Sequence, residues 1–242
     1  MEIKIEDLSF SYDKFEIFNH LNLTIEAGSY VGIFGKNGIG KSTLLELMMG
    51  FSKVNSGTLR INGLDPATDP YSNRSNLFYL SDKVKFPEHW SLKDAIVFNS
   101  KFYPNYKDET KDELLELFGL DLDKPFAGMS AGQTKQAQII VGLSTNPKLL
   151  IIDEMTAYLD IKARDKFNSY LGKINKELNT TIVLSTNIPE DLGVYPTHFL
   201  LLGGKAIQYI PASETSLEQV LKTVTQDPEV REQTSPGEES HE

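Results

Sequence analysis

The chain has 242 residues, which is enough for one large domain or for a domain with an inserted subdomain. Its 40% hydrophobic and 24% charged residues are typical of a soluble globular protein, and its apolar runs are too short to span a bilayer. The formal charge of −10 argues against binding to nucleic acid, and the lack of cysteine excludes disulfides and thiolate metal sites. We therefore expect a cytoplasmic protein without a leader peptide or a transmembrane segment of its own.

The first part of the chain alternates between apolar and polar residues, as half-exposed strands do. This pattern covers Ile3 to Ser11 and Leu21 to Ile25, and it returns at Thr58 to Ile61. These segments predict an antiparallel flank. Between them, Tyr30 to Phe34 is apolar on both faces, which is typical of a strand buried in a parallel sheet.

A glycine-rich motif follows the strand Tyr30 to Phe34. It matches the phosphate-binding pattern G-x-x-x-x-G-K-[ST] at every fixed position, and helical spacing continues from Ser42 to Met49. In such a loop the backbone N–H groups converge on the β-phosphate at the positive end of the helix. Lys41 can then bridge the β- and γ-phosphates, and the Ser42 hydroxyl can ligate Mg²⁺. The predicted nucleotide-binding residues are Gly35, Lys36, Asn37, Gly38, Ile39, Gly40, Lys41, Ser42 and Thr43.

A helical region follows the next buried strand, Leu77 to Leu80. Strand signals stop between Pro87 and Ser144, where apolar residues recur at helical spacing instead. The helical segments are Leu92 to Phe102, Glu109 to Phe118 and Gln133 to Leu143. We interpret this region as an inserted helical subdomain.

Two adjacent carboxylates follow the apolar run Leu149 to Ile152. Asp153 and Glu154 therefore lie at the C-terminal tip of a buried strand, where ligands bind in sheets of this type. Alone, such a pair also fits a solvated strand end or a helix cap. Together with Lys41 it predicts hydrolysis, because Asp153 can hold Mg²⁺ and Glu154 can deprotonate the water that attacks the γ-phosphate.

The rest of the chain predicts the end of the sheet and a tail. Thr181 to Leu184 and Phe199 to Leu202 are expected to be buried strands, and a hairpin from Leu200 to Ile210 is expected to turn at Gly203-Gly204. A short helix is expected from Ser213 to Val224. Beyond it, the content of Pro, Glu, Ser and Gln predicts disorder.

These elements together predict an α/β fold: a P-loop NTPase core with a mostly parallel sheet, an antiparallel β flank and an inserted helical subdomain. We expect a single domain over residues 1–211, with the nucleotide-binding core at 1–82 and 145–211 and the helical subdomain at 83–144. Residues 212–242 are expected to form the short helix and an acidic tail.

A third motif lies between the glycine-rich loop and the acidic pair. Met129 to Gln133 reads M-S-A-G-Q and ends 20 residues before Asp153. By itself it is a helix-capping sequence. In this position it resembles the L-S-G-G-Q signature of the ATP-binding cassette (ABC) transporter ATPases. The resemblance extends from about Ile3 to Gln208, and Ala157 to Asp160 is similar to the family's dimer-facing loop.

The resemblance implies that two cassettes associate head to tail and clasp ATP and Mg²⁺ between them. Ser130, Gly132 and Gln133 would then contact the nucleotide of the partner cassette, and Asp160 would couple the two sites. Tyr12 matches the family's aromatic residue that stacks on adenine. ATP binding would draw the subunits together, and hydrolysis would let them part.

Three positions depart from the family's pattern, and one of them is Met155, where the family usually has a proline after the catalytic glutamate. Asp82 stands where the family has a glutamine after the strand Leu77 to Leu80, although the register could differ by one residue. Asp82 is an expected ligand of Mg²⁺ or of its water. Asn187 stands where the family has its switch histidine, and an amide can bind a phosphate but cannot become cationic or relay a proton. The predicted catalytic residues are Lys41, Glu154 and Asn187. Because Asn187 cannot relay a proton, we expect slow ATP hydrolysis.

The resemblance also implies what the protein is for. It predicts the ATPase subunit of a transporter, held on the cytoplasmic face of the cell membrane by a separate transmembrane permease. The second cassette would be another copy of this chain or a paralogue. A single cassette with little C-terminal extension favours a simple exporter of peptides, lipids or drugs over an importer with regulatory domains. The alternative is a soluble cassette ATPase of an assembly or repair system, such as iron-sulfur cluster assembly.

Overall fold

A computed structural model describes residues 1–69, 71–188, 194–203, 207–215 and 219. The described residues form nine strands and five α-helices. The strands are β1 (Ile3–Tyr12), β2 (Phe15–Ile25), β3 (Tyr30–Gly35), β4 (Ser56–Ile61), β5 (Leu77–Ser81), β6 (Leu149–Asp153), β7 (Thr181–Ser185), β8 (His198–Leu202) and β9 (Ile207–Pro211). The helices are α1 (Lys41–Met48), α2 (Leu92–Ser100), α3 (Asp108–Phe118), α4 (Ala131–Ser144) and α5 (Ile161–Leu178).

The antiparallel flank predicted from the alternating segments is confirmed. It is a three-stranded sheet in the order β2-β1-β4, in which Ile3 of the central strand lies opposite Ile25 on one side and Ile61 on the other. All three of these side chains are fully buried. Their period-two neighbours face the same way, so the flank places one apolar face against the main sheet.

The main sheet has six strands in the order β5-β6-β7-β3-β8-β9, and only the β8–β9 pair is antiparallel. Its register aligns Asp153 with Ser81 on one side and with Ser185 on the other. Ser185 is in turn aligned with Ile33, two residues before the end of β3. The ends of four parallel strands therefore meet at one edge of the sheet, as predicted for a P-loop core.

Helices cover one face of the main sheet, and α1 with the antiparallel flank covers the other. Leu150 and Ile152 of β6 pack in a cluster with α4 and α5, whereas Leu149 and Ile151 pack with α1 and the flank. This alternation explains why the strand is apolar at every position: neither face meets water. Among the described residues, no helix combines the length and apolar character needed to cross a membrane.

Helices α2, α3 and α4 lie between β5 and β6 in the chain, where helical spacing predicted them. Leu92, Ile96 and Leu114 bury their side chains in the same cluster as α4. The 18-residue helix α5, which begins at Ile161, was not among the predicted helices. The proposed division into a nucleotide-binding core and a helical subdomain remains a prediction.

The C-terminal predictions fall largely outside the described residues. The hairpin pairing of β8 with β9 is confirmed, but Gly204 of its expected turn is not described. Ser213 to Thr215, the start of the expected short helix, do not form helix. Apart from Gln219, the rest of that segment and the expected disordered tail lie beyond what the structure describes.

Candidate functional site

The glycine-rich loop forms the turn between β3 and α1. Gly40, directly before α1, has a φ of 111°, a backbone conformation that residues with a side chain rarely adopt. A Cβ atom on Gly40 would also lie 2.7 Å from Cγ2 of Ile17. A Cβ atom on Gly35 would lie 2.7 Å from the carbonyl oxygen of Leu202. The chain can therefore turn this tightly only with glycine, and the turn brings the loop to the unpaired N–H groups at the start of α1.

Lys41 is the first residue of α1, and its side chain is only 4% exposed. Its Nζ atom donates to the carbonyl oxygens of Gly35 at 2.8 Å and Lys36 at 3.2 Å. Burial lowers the pKa of Lys41, and the charges of Glu154 and Asp153 oppose that shift. The Oε1 atom of Glu154 lies 4.0 Å from the Nζ atom. The loop therefore holds the lysine head group through its own carbonyl oxygens, within reach of the acidic pair.

Asp153 ends β6 as a buried carboxylate that accepts three hydroxyl hydrogen bonds. Its Oδ1 atom accepts from the hydroxyl of Ser185 at 2.6 Å and from that of Ser42 at 3.2 Å. Its Oδ2 atom accepts from the hydroxyl of Tyr79 at 3.3 Å. Burial, with a further contribution from the Asp153 charge, raises the pKa of Tyr79 to about 12, so the phenol stays a donor. These hydrogen bonds offset the cost of burying the carboxylate beside the loop.

Glu154 leaves the strand with a φ of 50°, in the left-handed region. Its backbone N–H donates to the carbonyl of Ser185 at 3.1 Å, and its Oε1 atom accepts from the side-chain amide of Asn187 at 2.7 Å. A non-glycine residue in this conformation costs about 1–3 kcal/mol. Neighbouring contacts offset that cost, and such strain is found where a side chain has to be held for function.

Lys41, Ser42 and Glu154 line a small cavity of about 300 Å³ next to the loop. It collects the backbone of the loop, a cationic head group and hydroxyls, which is the chemistry needed to bind phosphate groups, and the Glu154 carboxylate lies at its wall. The lining residues are Asn37, Gly38, Gly40, Lys41, Ser42, Thr43 and Glu154.

Tyr12 lies at the end of β1 with its side chain 45% exposed. Its ring packs edge-on against Phe10, with ring centroids 4.9 Å apart. Its hydroxyl makes a long 3.4 Å hydrogen bond to Oε2 of Glu46 on α1, whose other oxygen pairs with Lys83 at 2.8 Å. The exposed ring face is available for the predicted stacking on a base.

Asp82 does not line the cavity around Lys41. It lines a separate cavity of about 530 Å³, where Phe86 stacks on Phe126 with ring centroids 5.1 Å apart. The buried side chains of Lys135 and Gln138 also line this cavity. Burial lowers the pKa of Lys135, while the Asp82 carboxylate counteracts that shift. The structure therefore brings Asp82 toward a lysine, and its predicted role as a Mg²⁺ ligand stays a prediction.

The signature residues form a helix cap. Ser130 accepts a hydrogen bond from the backbone N–H of Gln133 at 3.2 Å, and the Gln133 side chain accepts one from the Ser130 N–H at 3.1 Å. This reciprocal capping box starts α4, whose second residue is Gly132. Asp160 caps α5 with a single bond, which its side chain accepts from the N–H of Ala163 at 2.8 Å. None of these residues lines the cavity around Lys41.

Comparison with known proteins identifies this arrangement. The model of the family described as ABC transporter matches residues 18–157, more than half of the chain. The chain belongs to the ABC transporter family. It is therefore an ATP-binding cassette with ATPase activity, as the sequence motifs predicted.

Two relatives of this cassette carry names that refer to uptake or energy coupling. One, from Chlorella vulgaris, is named a probable sulfate/thiosulfate import ATP-binding protein; it is 31% identical over 222 residues, covering 89% of this chain and 94% of the relative. The other, from Enterococcus faecalis, is named an energy-coupling factor transporter ATP-binding protein; it is 32% identical over 222 residues, covering 84% and 76%. The expectation of an exporter receives no support from these names, and neither does the iron-sulfur alternative.

A solved structure shares the fold of this cassette. It is a dimeric ATP-binding cassette in a post-hydrolysis state with ADP and Pi bound. The match has a TM-score of 0.74 at 21% identity and covers 86% of this chain and 98% of the other. The predicted fold class, an α/β P-loop core with an antiparallel flank, is thereby confirmed.

Sequence reasoning missed three polar residues of the cassette's site. Ser185 could have been found, because a polar residue ends the otherwise apolar run of β7. Tyr79 and Glu46 gave no such signal. Tyr79 reads as part of an apolar strand and Glu46 as the polar position of a helix, and only the tertiary structure shows which side chains they reach.

Proposed function

We propose that this cassette hydrolyses ATP to drive a transporter whose membrane-spanning permease is a separate subunit. The observation that carries the proposal is the convergence of Lys41, Ser42, Asp153 and Glu154 at one edge of the main sheet. Hydrogen bonds and the 4.0 Å approach of Lys41 to Glu154 connect these side chains. Each one supplies a different part of phosphoryl transfer to water.

ATP is bound through its phosphates by the loop from Gly35 to Thr43. Lys41 exchanges its two carbonyl acceptors for oxygens of the β- and γ-phosphates, and the loop N–H groups bind the remaining charge. The adenine stacks on the exposed ring of Tyr12. Because stacking accepts any base, this contact adds affinity without selecting adenine.

The oxygen donors beside the loop fit Mg²⁺. The Ser42 hydroxyl and the Asp153 carboxylate lie 3.2 Å apart, and both are hard oxygen ligands of the kind that Mg²⁺ prefers. When bound, the ion neutralises charge that develops on the phosphates. Asp82 joins this set only if its loop turns away from the cavity of Lys135.

Glu154 acts as the base that takes a proton from the attacking water. Its Oε1 atom is fixed by the amide of Asn187, which also donates toward the γ-phosphate. Because an amide cannot take up the proton that Glu154 receives, we expect slow turnover. The 2.7 Å bond from Asn187 to Glu154 supports this pairing of base and sensor.

The signature acts on the partner cassette. Ser130, Gly132 and Gln133 form the start of α4 away from their own phosphate cavity, as a role across a two-fold interface requires. Asp160 would couple the two sites. The solved dimeric relative with ADP and Pi supports the same assembly, formed by two copies of this chain or by a paralogue. We further propose an uptake or energy-coupling system, on the cytoplasmic face of the membrane, because both relatives carry such names.

Two variants test this proposal. Lys41→Ala should lose ATP binding, measured with a fluorescent ATP analogue, and hydrolysis with it. Glu154→Gln should bind ATP, lose hydrolysis and shift toward a dimer in sedimentation experiments. Lys162→Ala, an exposed charge removal on α5, is the matched control. Parent-like binding and hydrolysis in both site variants would contradict the proposed function.

A separate experiment tests the transport role. Affinity purification of the chain from native membranes should recover a protein with several membrane-spanning segments, and the recovery should survive washing with salt. Recovery of soluble partners alone would contradict the transport role while leaving the ATPase chemistry intact.

A further inference from the structure

The Asp153 carboxylate has a hydrogen-bond donor on each of its oxygens, and the donors come from different elements. Ser185 and Ser42 donate to Oδ1 from β7 and α1, whereas the hydroxyl of Tyr79 donates to Oδ2 from β5. The two serines restrain Oδ1 alone. The phenol adds a restraint from a third element on the other oxygen and so further limits rotation of the carboxylate.

The register of the sheet explains why a tyrosine at position 79 reaches this oxygen. Tyr79 lies opposite Ile151 on the neighbouring parallel strand, and Asp153 is two residues further on the same face. Two residues of a strand span about 6.6 Å, which is close to the length of a tyrosine side chain. The ring therefore runs along β6 and ends at the carboxylate.

The surroundings of Tyr79 hold its ring in this direction. Phe51 packs edge-on against it, with ring centroids 5.9 Å apart at 77°. The ring also packs against the apolar cluster on the flank side of the sheet. Lys83 and Glu46, which pair at 2.8 Å, are near enough to Tyr79 for their charges to act on its pKa. A phenylalanine at this position would keep the packing and lose only the hydroxyl.

We propose that Tyr79 is a positioning residue for the metal-binding carboxylate of Asp153. The proposal rests on the proposed function, because it takes Asp153 as the residue that holds Mg²⁺. By fixing Oδ2, the phenol presents the carboxylate in one orientation, so the metal does not have to order it on binding. Partners of this kind are worth about 10- to 100-fold in metal affinity.

The test removes the hydroxyl and measures metal binding directly. Tyr79→Phe is loaded with a non-hydrolysable ATP analogue and titrated with Mn²⁺, a spectroscopic substitute for Mg²⁺, while free Mn²⁺ is followed by electron paramagnetic resonance. We expect about tenfold weaker Mn²⁺ binding than in the parent protein. Nucleotide binding in EDTA should be unchanged, which shows that the variant is folded. Tyr103→Phe, which removes the hydroxyl of another partly buried tyrosine, should behave as the parent.

The Asp153→Asn variant distinguishes a failure of the proposed Tyr79 role from a failure of the proposed metal site at Asp153. If Asp153→Asn loses Mn²⁺ while Tyr79→Phe binds it like the parent or more tightly, the positioning role of Tyr79 is wrong. If Asp153→Asn itself binds Mn²⁺ like the parent, the assignment of the metal to Asp153 is wrong, and the role of Tyr79 falls with it. A loss of nucleotide binding in EDTA by Tyr79→Phe would show a structural role instead and would also overturn the proposal.

Discussion

Replacing Asn187 tests the pairing of base and sensor most sharply. Asn187→Ala removes the 2.7 Å hydrogen bond that orients Glu154. A hydrogen bond to a charged group contributes about 1.5–3 kcal/mol. The Glu154 side chain is 40% exposed, so water screens the interaction and we take the lower end. About 1.5 kcal/mol corresponds to roughly tenfold in kcat.

Asn187→His should change the rate in the other direction. The Nδ1 atom of histidine lies one bond beyond Cγ, like the amide nitrogen of asparagine, so it can keep the bond to Glu154. The Nε2 atom then extends toward the γ-phosphate and can carry a proton. Because a positioned acid or base contributes 10²- to 10⁴-fold in favourable cases, we expect a rise in kcat of about tenfold or more.

The assay is phosphate release at saturating ATP and Mg²⁺, with ATP affinity measured separately. Asn19→Ala, at an exposed position of β2, is the control for loss of an asparagine and should behave as the parent. A lower kcat for Asn187→His, or an unchanged kcat for Asn187→Ala, would refute this reasoning.

Three further outcomes follow from the packing and the charges. Gly40→Ala should abolish ATP binding, because the loop cannot hold a φ of 111° or place a Cβ atom there; parent-like binding would contradict this. Ser130→Ala should cost about 1 kcal/mol of stability through the lost cap, which lowers Tm by about 2–4 °C. It should reduce ATPase activity by much more than the loss of folded protein explains. A loss of activity no larger than the loss of folded protein would leave the cap as its only role. The pKa of His198 is lowered by burial, so the unfolded chain binds the proton more readily and stability should fall as pH drops below about 6.5. In urea unfolding, His198→Gln should lose less stability between pH 7.5 and pH 5.5 than the parent protein does. An equal loss of stability in the two proteins would contradict the lowered pKa of His198.

The sheet and the phosphate loop could be predicted because their signals are local. Tyr30 to Phe34 and Leu149 to Ile152 are apolar at every position only because both faces of the main sheet are covered. Gly40 is required by a single backbone angle, and Lys41 follows it directly in the chain. In these segments, the residues that meet each structural requirement lie close together in the sequence.

The parts that could not be predicted depend on register and on side-chain direction. Tyr79 reaches Asp153 across 74 positions of sequence, because β5 pairs with β6 in one particular alignment. Asp82, only three residues after Tyr79, instead lines the cavity of Lys135. No periodicity in one sequence distinguishes these two outcomes. The register of neighbouring strands does, and it is a property of the folded sheet.

The carbonyl bonds of Lys41 have a consequence for how the loop responds to nucleotide. Gly35 and Lys36 accept from its ammonium group, so the fold does not need an external anion to keep this charge satisfied in a nearly dry position. Phosphate oxygens would replace these neutral acceptors with anionic ones, so the gain on binding comes from the added charge attraction and not from a new hydrogen bond. The Lys41 side chain is therefore already held in place before a nucleotide arrives, so binding does not carry the entropic cost of ordering it.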